Sequence, residues 1–316
     1  MQLRDELTAS GLDAGADTIR ELLTRDSIDV SRSTIFRILS AAGKVDPQPQ
    51  KRPRSSWIRF AADRPNQRWQ SDFTHVRLTT GDDIEVIGWL DDHSRFLLHL
   101  SAHHRVTGRI VADTFTSTAL TLGYPTSTLT DNGMVYTTRY ARGAAGHGPG
   151  NAFETLLALN GITQQNGKPF KPTTQGKIER FWQTLKKHLA TQNPATIVEL
   201  QNILDRFRSH YNTVRPHRAL GRNTPEFAYQ LIPKATPTSP EDPDLWRVRY
   251  DTIDHDGKIS LRHSGRMLHL GIGRAHVRTE VICLIHNHEA TVITHTGTVL
   301  AEFTLNPATG YQKKNG

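Results

Sequence analysis

The chain has 316 residues, a net charge of +8 at pH 7 and a single cysteine, Cys283. This length accommodates two or three domains, and one cysteine excludes a disulfide framework and any cysteine-based zinc site. The mean hydropathy is −0.51, and the chain has no apolar run long enough to span a bilayer. The first residues lack the apolar core of a signal peptide, so we expect a cytoplasmic location. The positive charge suits a phosphate backbone or an anionic surface.

Residues 1–45 are expected to form one domain, and residues 16–42 within it contain two short helical patterns separated by a turn. Ser31 is placed to cap the second helix, and Gly43 follows it as a stop signal. The positions expected to face inward are Ile19, Leu22, Leu23, Ile35, Ile38 and Leu39. Two helices in this arrangement predict a helix-turn-helix DNA-binding domain, although an ordinary helical hairpin has the same pattern. The side chains expected to meet a DNA groove are Arg32, Ser33, Thr34 and Arg37.

The next segment, residues 46–66, is basic and rich in proline, which predicts an extended linker. Residues 67–232 then change character. RWQSDFTHVRL has the alternation of a strand, and DIEVIGWLDDHSRFLLHLSAHH predicts two more strands joined at residues 91–94. Helices and short strands alternate after them, interrupted by a glycine-rich loop at 139–151. Three strands followed by alternating helices and strands predict an α/β domain with a mixed sheet.

A second proline-rich linker covers residues 233–245. The remaining residues, 246–316, are short strands broken by Asp-Gly and Thr-Gly turns, which predict a small all-β domain, a barrel. His286 and His288 lie two residues apart in this part of the chain. Because no third ligand is apparent, we interpret them as surface histidines.

One acidic residue stands out in the basic helical stretch TTQGKIERFWQTLKKHL, residues 173–189. Ile178, Trp182, Leu185 and Leu189 form an apolar stripe, and Glu179 lies on the neighbouring polar face. A glutamate on such a face is usually a solvated ion-pair partner. At the rim of a sheet, however, the same position suits a residue of an active site.

Two other carboxylates occupy unusual places. Asp72 lies inside a strand, between Trp69 and Phe73, where aspartate is disfavoured and a buried carboxylate needs a partner. Asp131 ends a short strand and starts an Asp-Asn-Gly turn, so it is expected at the carboxyl edge of the sheet. Three carboxylates meeting at strand ends suit Mg²⁺, which prefers hard oxygen ligands. Two such ions promote in-line displacement at phosphorus.

The segments QSDFTH, LTDNG and QGKIERFWQTLK resemble the three signature segments of DDE transposases and integrases that have a retroviral-integrase catalytic core. YNTVRPHRAL and NTPEFAY, in residues 211–229, are similar to the end of that core in bacterial insertion-sequence transposases. The resemblance covers residues 57–232 and, with the predicted flanking domains, nearly the whole chain. It implies a ribonuclease-H-like fold for the catalytic core.

By the same resemblance, Asp72, Asp131 and Glu179 would be the catalytic, metal-binding triad for two Mg²⁺ (or Mn²⁺) ions. The implied activity is cleavage at mobile-element ends and transfer of the 3′-hydroxyl ends into target DNA. The implied partners are the terminal inverted repeats, target DNA and further copies of the chain. Side chains on the glutamate helix would position DNA, namely Gln175, Lys177, Gln183 and Lys186. The last two acids are 48 residues apart, longer than is usual in the family, and the glycine-rich loop accounts for the excess.

Asp91 and Asp92 are rival acids, but they fall at the predicted hairpin and we interpret them as turn residues. Two other functions remain open: a ribonuclease-H-like nuclease without strand transfer, and a DNA-binding descendant without catalysis. Joined products from pre-cleaved ends distinguish a transposase from a nuclease. Retention of all three acids argues against a binding module.

Overall fold

The computed structural model describes residues 1–45, 61–138, 150–166, 175–238 and 245–315. Most of the first predicted linker, nearly all of the predicted glycine-rich loop and part of the second linker lie outside the described residues. In the described ranges, no helix has the length and apolar character needed to cross a membrane.

The N-terminal part consists of three short helices: α1 (Gln2–Ala9), α2 (Ala16–Arg25) and α3 (Arg32–Ala41). Helix α1 was not predicted, because its sequence has no capping signal and its cap residue Met1 makes no side-chain hydrogen bond. The cap of α3 is as predicted, since the Ser31 hydroxyl accepts from the Thr34 backbone N–H. The buried residues of this unit are Leu7, Ala14, Ala16, Ile19, Ile35 and Leu39.

The expectation that Ile38 faces inward was wrong, because its side chain is 49% exposed. Ile35 and Leu39 are four residues apart and lie above one another on the buried face of α3. Ile38 is turned away from that line. The exposed Phe36 lies on the same helix.

The central domain is a five-stranded mixed sheet with helices around it, as the sequence predicts. Its strands are β1 (Trp69–Arg77), β2 (Asp83–Asp91), β3 (Leu97–His103), β4 (Ser127–Thr130) and β5 (Thr163–Asn166), in the spatial order β3-β2-β1-β4-β5. Strands β1 to β3 are antiparallel neighbours, whereas β4 runs parallel to β1 and to β5. The helices are α4 (Gly108–Leu122), α5 (Ala152–Leu159), α6 (Gly176–Leu189), α7 (Ile197–Thr213) and α8 (Pro225–Gln230).

Two apolar cores cover the two faces of this sheet. One contains residues of α6 and α7, among them Trp182, Leu185 and Phe207, together with Ile84 and Val86 of β2. The other contains residues of α4 and α5, such as Phe115 and Phe153, together with Trp69, Ile87 and Trp89 of the sheet. Alternate residues of β1 and β2 therefore serve opposite cores, which explains why these central strands are apolar on both faces.

The C-terminal part is all-β, but it is not the closed barrel that the sequence suggested. It has β6 (Trp246–Thr252), β7 (Lys258–His263), β8 (Arg266–Gly271), β9 (Glu280–His286), β10 (Glu289–Thr294), β11 (Val299–Thr304) and β12 (Tyr311–Lys313). These strands form two open sheets, β11-β10-β9-β6 and β12-β8-β7. A shared apolar core joins the sheets, and isolated hydrogen bonds such as Asn315 N–H to the Glu302 carbonyl replace a continuous ladder.

Candidate active site

Asp72 lies on the central strand β1 opposite Gly88 of β2. Trp182 of α6 covers this glycine so closely that a Cβ there would lie 3.1 Å from the indole ring. The Trp182 Nε1–H donates to Asp72 Oδ2 at 3.1 Å, and the Phe73 backbone N–H donates to Oδ1 at 2.9 Å. The missing side chain at Gly88 therefore lets the indole reach the Asp72 carboxylate.

Asp131 follows β4, and the parallel pairing of β1 with β4 places it at the level of Asp72. Trp69 pairs with Thr128 and Gln70 with Leu129. When that register is continued by two residues, Asp131 comes beside Asp72. Asp131 Oδ1 accepts from the Gly133 N–H at 2.9 Å, so the predicted Asp-Asn-Gly turn is confirmed.

Glu179 lies in the first turn of α6, with its side chain exposed. The neighbouring residues Ile178, Phe181, Trp182 and Leu185 are buried against the sheet. Glu179 and Trp182 are three residues apart, and such residues are neighbours on a helix surface. The helix that brings the indole to Asp72 therefore also carries Glu179 towards that edge of the sheet.

The charges of Asp131 and Glu179 both act on Asp72. Burial raises the pKa of Asp72 to about 6, and the carboxylates of Asp131 and Glu179 add to the rise. Hydrogen bonds from Phe73 and Trp182 act in the opposite direction. In the part of the chain that the structure describes, however, no three acidic, histidine or cysteine side chains are close enough together to hold a metal ion.

Tyr136 connects the turn after Asp131 to β1. Its ring is fully buried, and its hydroxyl lies 2.9 Å from the Ser71 hydroxyl, next to Asp72 in sequence. Burial raises the pKa of Tyr136, and the Asp72 and Asp131 carboxylates act in the same direction, so it remains a neutral phenol. Sequence reasoning missed Tyr136, Gly88 and the polar role of Trp182, because each reads as an ordinary residue of a core or strand.

Asp91 and Asp92, the two rival acids, both bind protein partners at the end of β2. Asp91 Oδ1 accepts from the N–H and hydroxyl of Ser94, while burial raises its pKa. Asp92 is 1% exposed and forms an ion pair with Lys177 at 2.5 Å. Burial acts to raise the pKa of Asp92, but the Lys177 ammonium, the Ala62 N–H and the charge of Arg95 together outweigh it, and the pKa lies below its usual value.

This ion pair corrects the interpretation of Lys177. The sequence predicts that Lys177 positions DNA, but its side chain is 19% exposed and its ammonium group is bound by Asp92. Burial lowers the pKa of Lys177 to about 8, so it is still charged at neutral pH. Of the other residues predicted to position DNA from α6, Gln183 and Lys186 are exposed and Gln175 is partly buried at the helix start.

On α3, three of the four predicted DNA-binding side chains have protein partners. Arg32 forms an ion pair with Asp17 at 3.0 Å, and the hydroxyls of Ser33 and Thr34 both lie 2.9 Å from the Ser31 hydroxyl. Arg37 is exposed on the same helix.

The two histidines of the C-terminal part also have protein partners. His286 stacks on Trp246 with ring centroids 4.8 Å apart. His288 Nδ1 lies 3.1 Å from His263 Nε2. Neither belongs to a cluster of three metal-binding side chains within the described ranges.

A family model described as integrase core domain matches residues 62–172, and a second model with the same description matches residues 160–225. Together they span more than half of the chain. The chain belongs to the integrase core family.

Relatives of this integrase-core protein come from bacterial insertion elements. It is 26% identical over 239 residues to the IS476 uncharacterized 39.2 kDa protein of Xanthomonas euvesicatoria, covering 74% of this chain and 66% of that protein. It is 26% identical over 223 residues to the IS407 uncharacterized 31.7 kDa protein of Burkholderia multivorans, and this match covers 68% of this chain and 75% of that protein. It is 28% identical over 189 residues to transposase InsD for insertion element IS2A/D/F/H/I/K of Escherichia coli, and this match covers 56% of this chain and 57% of that protein. The chain thus spans just under two thirds of the IS476 protein.

The chain also aligns with solved structures of retroviral integrases. A chain of the simian T-cell lymphotropic virus intasome aligns with a TM-score of 0.45 and 18% identity, covering 86% of this chain and 87% of that chain. The HTLV-2 integrase catalytic core domain, solved in complex with magnesium, aligns with a TM-score of 0.40 and 18% identity. The alignment covers 53% of this chain and 98% of that chain.

Proposed function

We propose that this protein is a transposase that cuts DNA at the ends of its mobile element and joins the 3′ ends to target DNA, with Asp72, Asp131 and Glu179 as its catalytic carboxylates. The observation that carries the proposal is the register of β1 and β4, which brings Asp131 to the level of Asp72. The hydrogen bond from Trp182 to Asp72 brings α6, the helix that carries Glu179, to the same edge of the sheet. The raised pKa of Asp72 supports the same grouping. Burial is its main cause, and the charges of Asp131 and Glu179 raise the pKa further.

The three side chains fit a divalent cation of the hard class, Mg²⁺ or Mn²⁺. They offer oxygen ligands alone, and their mutual repulsion at a half-buried site is what a cation would relieve. Glu179 would complete the set by a change of rotamer, which an exposed side chain makes within nanoseconds. When bound, two such ions would supply activation of the attacking oxygen and stabilisation of the leaving oxygen.

The other residues of the site would hold the catalytic carboxylates in place and bind DNA. Trp182 holds the Asp72 carboxylate in place, and the turn at Asp131 is tied to the Gly133 N–H. The attacking group is a water molecule in cleavage and a DNA 3′-hydroxyl in joining, so no covalent protein intermediate is formed. Gln175, Gln183 and Lys186 of α6 would contact DNA beside the reacting phosphate.

The N-terminal helices would give the enzyme its choice of DNA. We assign α2 and α3 as a helix-turn-helix that binds the terminal inverted repeats, with the exposed Arg37 of α3 available for groove contact. Several copies of the chain would assemble on DNA, because both ends of an element are joined to one target.

Isosteric amide variants test the catalytic assignment. Asp72→Asn, Asp131→Asn and Glu179→Gln should each abolish cleavage and joining while DNA binding is largely kept, because the charge rather than the shape holds the metal. Asp113→Asn is the matched control, since Asp113 is an exposed acid on α4 of the same domain. Near-normal joining by any one of the three variants would remove that residue from the triad.

The substrate used in this experiment also separates the alternative functions. With pre-cleaved element ends, joined products identify a transposase, whereas hydrolysis alone identifies a nuclease of the same fold. Binding without any metal-dependent cutting or joining identifies a non-catalytic descendant.

A further inference from the structure

A buried polar network connects the start of α6 to the central strand. Asp92 Oδ2 accepts from Lys177 Nζ at 2.5 Å and from the Ala62 N–H at 2.7 Å. Asp92 Oδ1 accepts from Gln70 Nε2 at 2.5 Å. Gln70 is fully buried, and its Oε1 accepts from the backbone N–H of Ile178 at 3.3 Å.

These contacts lie next to the proposed catalytic carboxylates in sequence. Gln70 is two residues before Asp72 on β1, so both side chains face the same side of the sheet. Lys177 is two residues before Glu179, and Ile178 is the residue immediately before Glu179. The network therefore joins the two elements that carry Asp72 and Glu179, close to where each carboxylate leaves its backbone.

Helix α6 differs from most of the other described helices in how its start is held. The side chain of its N-cap residue, Gln175, makes no capping hydrogen bond, whereas the caps of α3, α4, α5, α7 and α8 all do. A helix start leaves its first four N–H groups without helical partners. Gln70 satisfies one of these from another element, so the position of the α6 start depends on the network.

The network contains a buried ion pair, and burying two charges is an inefficient way to stabilise a fold. A buried ion pair is often no better for stability than apolar residues of similar volume, because both ions lose their hydration. The α6 face next to this network is already apolar, with Ile178, Phe181 and Trp182 buried. A directional set of hydrogen bonds adds a defined position for the helix, which apolar packing alone does not define.

We infer that Gln70, Asp92 and Lys177 form a positioning clamp that holds the N-terminal end of α6, and with it Glu179, in register with Asp72. The inference rests on the proposed catalytic function of Glu179. None of the three clamp residues is assigned contact with the reacting atoms. Loss of the clamp would let the start of α6 move, and misplacement of a catalytic group by 1 Å costs about 100-fold in rate.

The test compares Lys177→Met, Asp92→Asn and the double variant that carries both changes. Each single variant should lower the maximal rate of joining pre-cleaved ends by about 10- to 100-fold, raise the Mg²⁺ concentration needed for half-maximal joining and leave the KM for DNA within about twofold. Lys187→Met, a lysine later in the same helix that donates to the Leu12 carbonyl, is the control and should join at the wild-type rate.

The double variant separates positioning from stability. Each single change leaves a buried charge without its partner, but the double change removes both charges, so its melting temperature should return towards that of the wild type. Its joining rate should stay low, because the clamp is still absent. Recovery of joining together with the melting temperature would overturn the inference and leave the pair a purely structural one. A salt dependence of DNA binding that is flatter in Lys177→Met would also overturn it, because Lys177 would then contact a phosphate.

Hydrogen exchange distinguishes failure of the clamp from failure of the proposed function. The amides of Ile178 and Glu179 should exchange at least tenfold faster in Lys177→Met than in Lys187→Met, with or without catalysis. Unchanged exchange overturns the clamp. Faster exchange combined with normal joining by Glu179→Gln keeps the clamp as a structural device and rejects the catalytic role of Glu179.

Discussion

Asp72 illustrates the energetic cost of placing a carboxylate in a central strand. Its pKa is raised from 3.8 to about 6, chiefly by burial and further by the charges of Asp131 and Glu179. Between these two values the folded protein binds more protons than the unfolded chain. The contribution of Asp72 to stability is therefore present in acid and is lost as the pH rises through 6. At neutral pH without metal, the charged side chain should destabilise the fold.

Replacement of this charge should stabilise the metal-free protein. In the presence of a chelator at pH 7.5, Asp72→Asn should raise the free energy of unfolding by up to about 3 kcal/mol, from about 1.4 kcal/mol per pKa unit. The gain should shrink as the pH falls towards 4, where the wild-type carboxyl is protonated. Thermal or urea unfolding at several pH values measures this, with Asp113→Asn as the control. An Asp72→Asn protein no more stable than the wild type at pH 7.5 would contradict the assigned environment of Asp72.

The candidate carboxylates could be predicted from the sequence, whereas most of the residues that hold them could not. Asp72 is conspicuous because aspartate is disfavoured inside a strand, and Asp131 because Asp-Asn-Gly is a turn signal. Trp182 belongs to a regular apolar stripe, and nothing in that stripe indicates that its N–H reaches a carboxylate. Gln70 and Lys177 find their partner in Asp92, which is distant from both in sequence. Such contacts depend on the packing of the folded chain.

Helix α6 presents an exposed basic face beyond Glu179. Lys186 lies seven residues after Glu179, about 10 Å along the axis by the helix rise, and is exposed. That distance suits a phosphate one or two nucleotides from the scissile bond. Lys186→Ala should weaken binding to pre-cleaved end DNA and reduce the slope of log K against log salt by about 0.9, the value of one phosphate contact.

Lys187→Ala is the matched control for this measurement, because the Lys187 ammonium donates to the Leu12 carbonyl of the N-terminal unit. Metal affinity should be nearly unchanged in both variants. An identical salt slope for wild type, Lys186→Ala and Lys187→Ala would assign the basic face of α6 to solvent.

The edge strand β3 carries a row of polar side chains on a partly buried face. His99 Nε2 and His103 Nε2 each lie 2.8 Å from the Ser101 hydroxyl. Burial lowers the pKa of His99 to about 4, and Arg208 and His103 act in the same direction. His99 is therefore neutral in the folded protein at pH values where the unfolded chain binds a proton. Stability should fall as the pH drops from 6.5 towards 4.

His99→Gln should reduce this acid sensitivity. Glutamine keeps a hydrogen-bonding group near Ser101 but takes up no proton. Between pH 7.5 and 5, the variant should lose about 2 kcal/mol less stability than the wild type, at about 1.4 kcal/mol per pKa unit. Urea unfolding at the two pH values measures the difference, and His104→Gln, at an exposed position of the chain, is the control. Equal losses in wild type and His99→Gln would show that other groups cause the acid sensitivity.

The elements of the core were predictable because each has a strong local signal, such as Thr107 and Thr196 capping α4 and α7. The shape of the C-terminal part was not. Alternation and turn residues identify short strands, but whether the outer strands pair across the gap depends on sheet curvature, which the pattern does not contain. The two sheets share a core without closing.

The N-terminal helices dock on the catalytic domain. His188 Nδ1 lies 2.6 Å from the Ser10 carbonyl, and Arg215 and Asp13 form an ion pair at 2.6 Å. Gly11, at φ +64°, approaches the Lys187 carbonyl so closely that a Cβ would lie 2.5 Å from it. Removal of residues 1–45 would therefore expose the ends of α6 and α7 as well as remove the proposed DNA-binding helices.

A point variant on α3 tests end recognition without that disturbance. Arg37→Ala should lower the preference for element-end DNA over random DNA by about tenfold, because one base contact is worth about 1–3 kcal/mol. Metal-dependent activity on random DNA should be retained, since the sheet edge and α6 are untouched. Competition binding with end and random duplexes measures the preference, and Arg20→Ala is the control because Arg20 is an exposed arginine on α2. Equal losses on both duplexes would mean that Arg37 contributes charge alone, and an unchanged preference would place the recognition surface elsewhere.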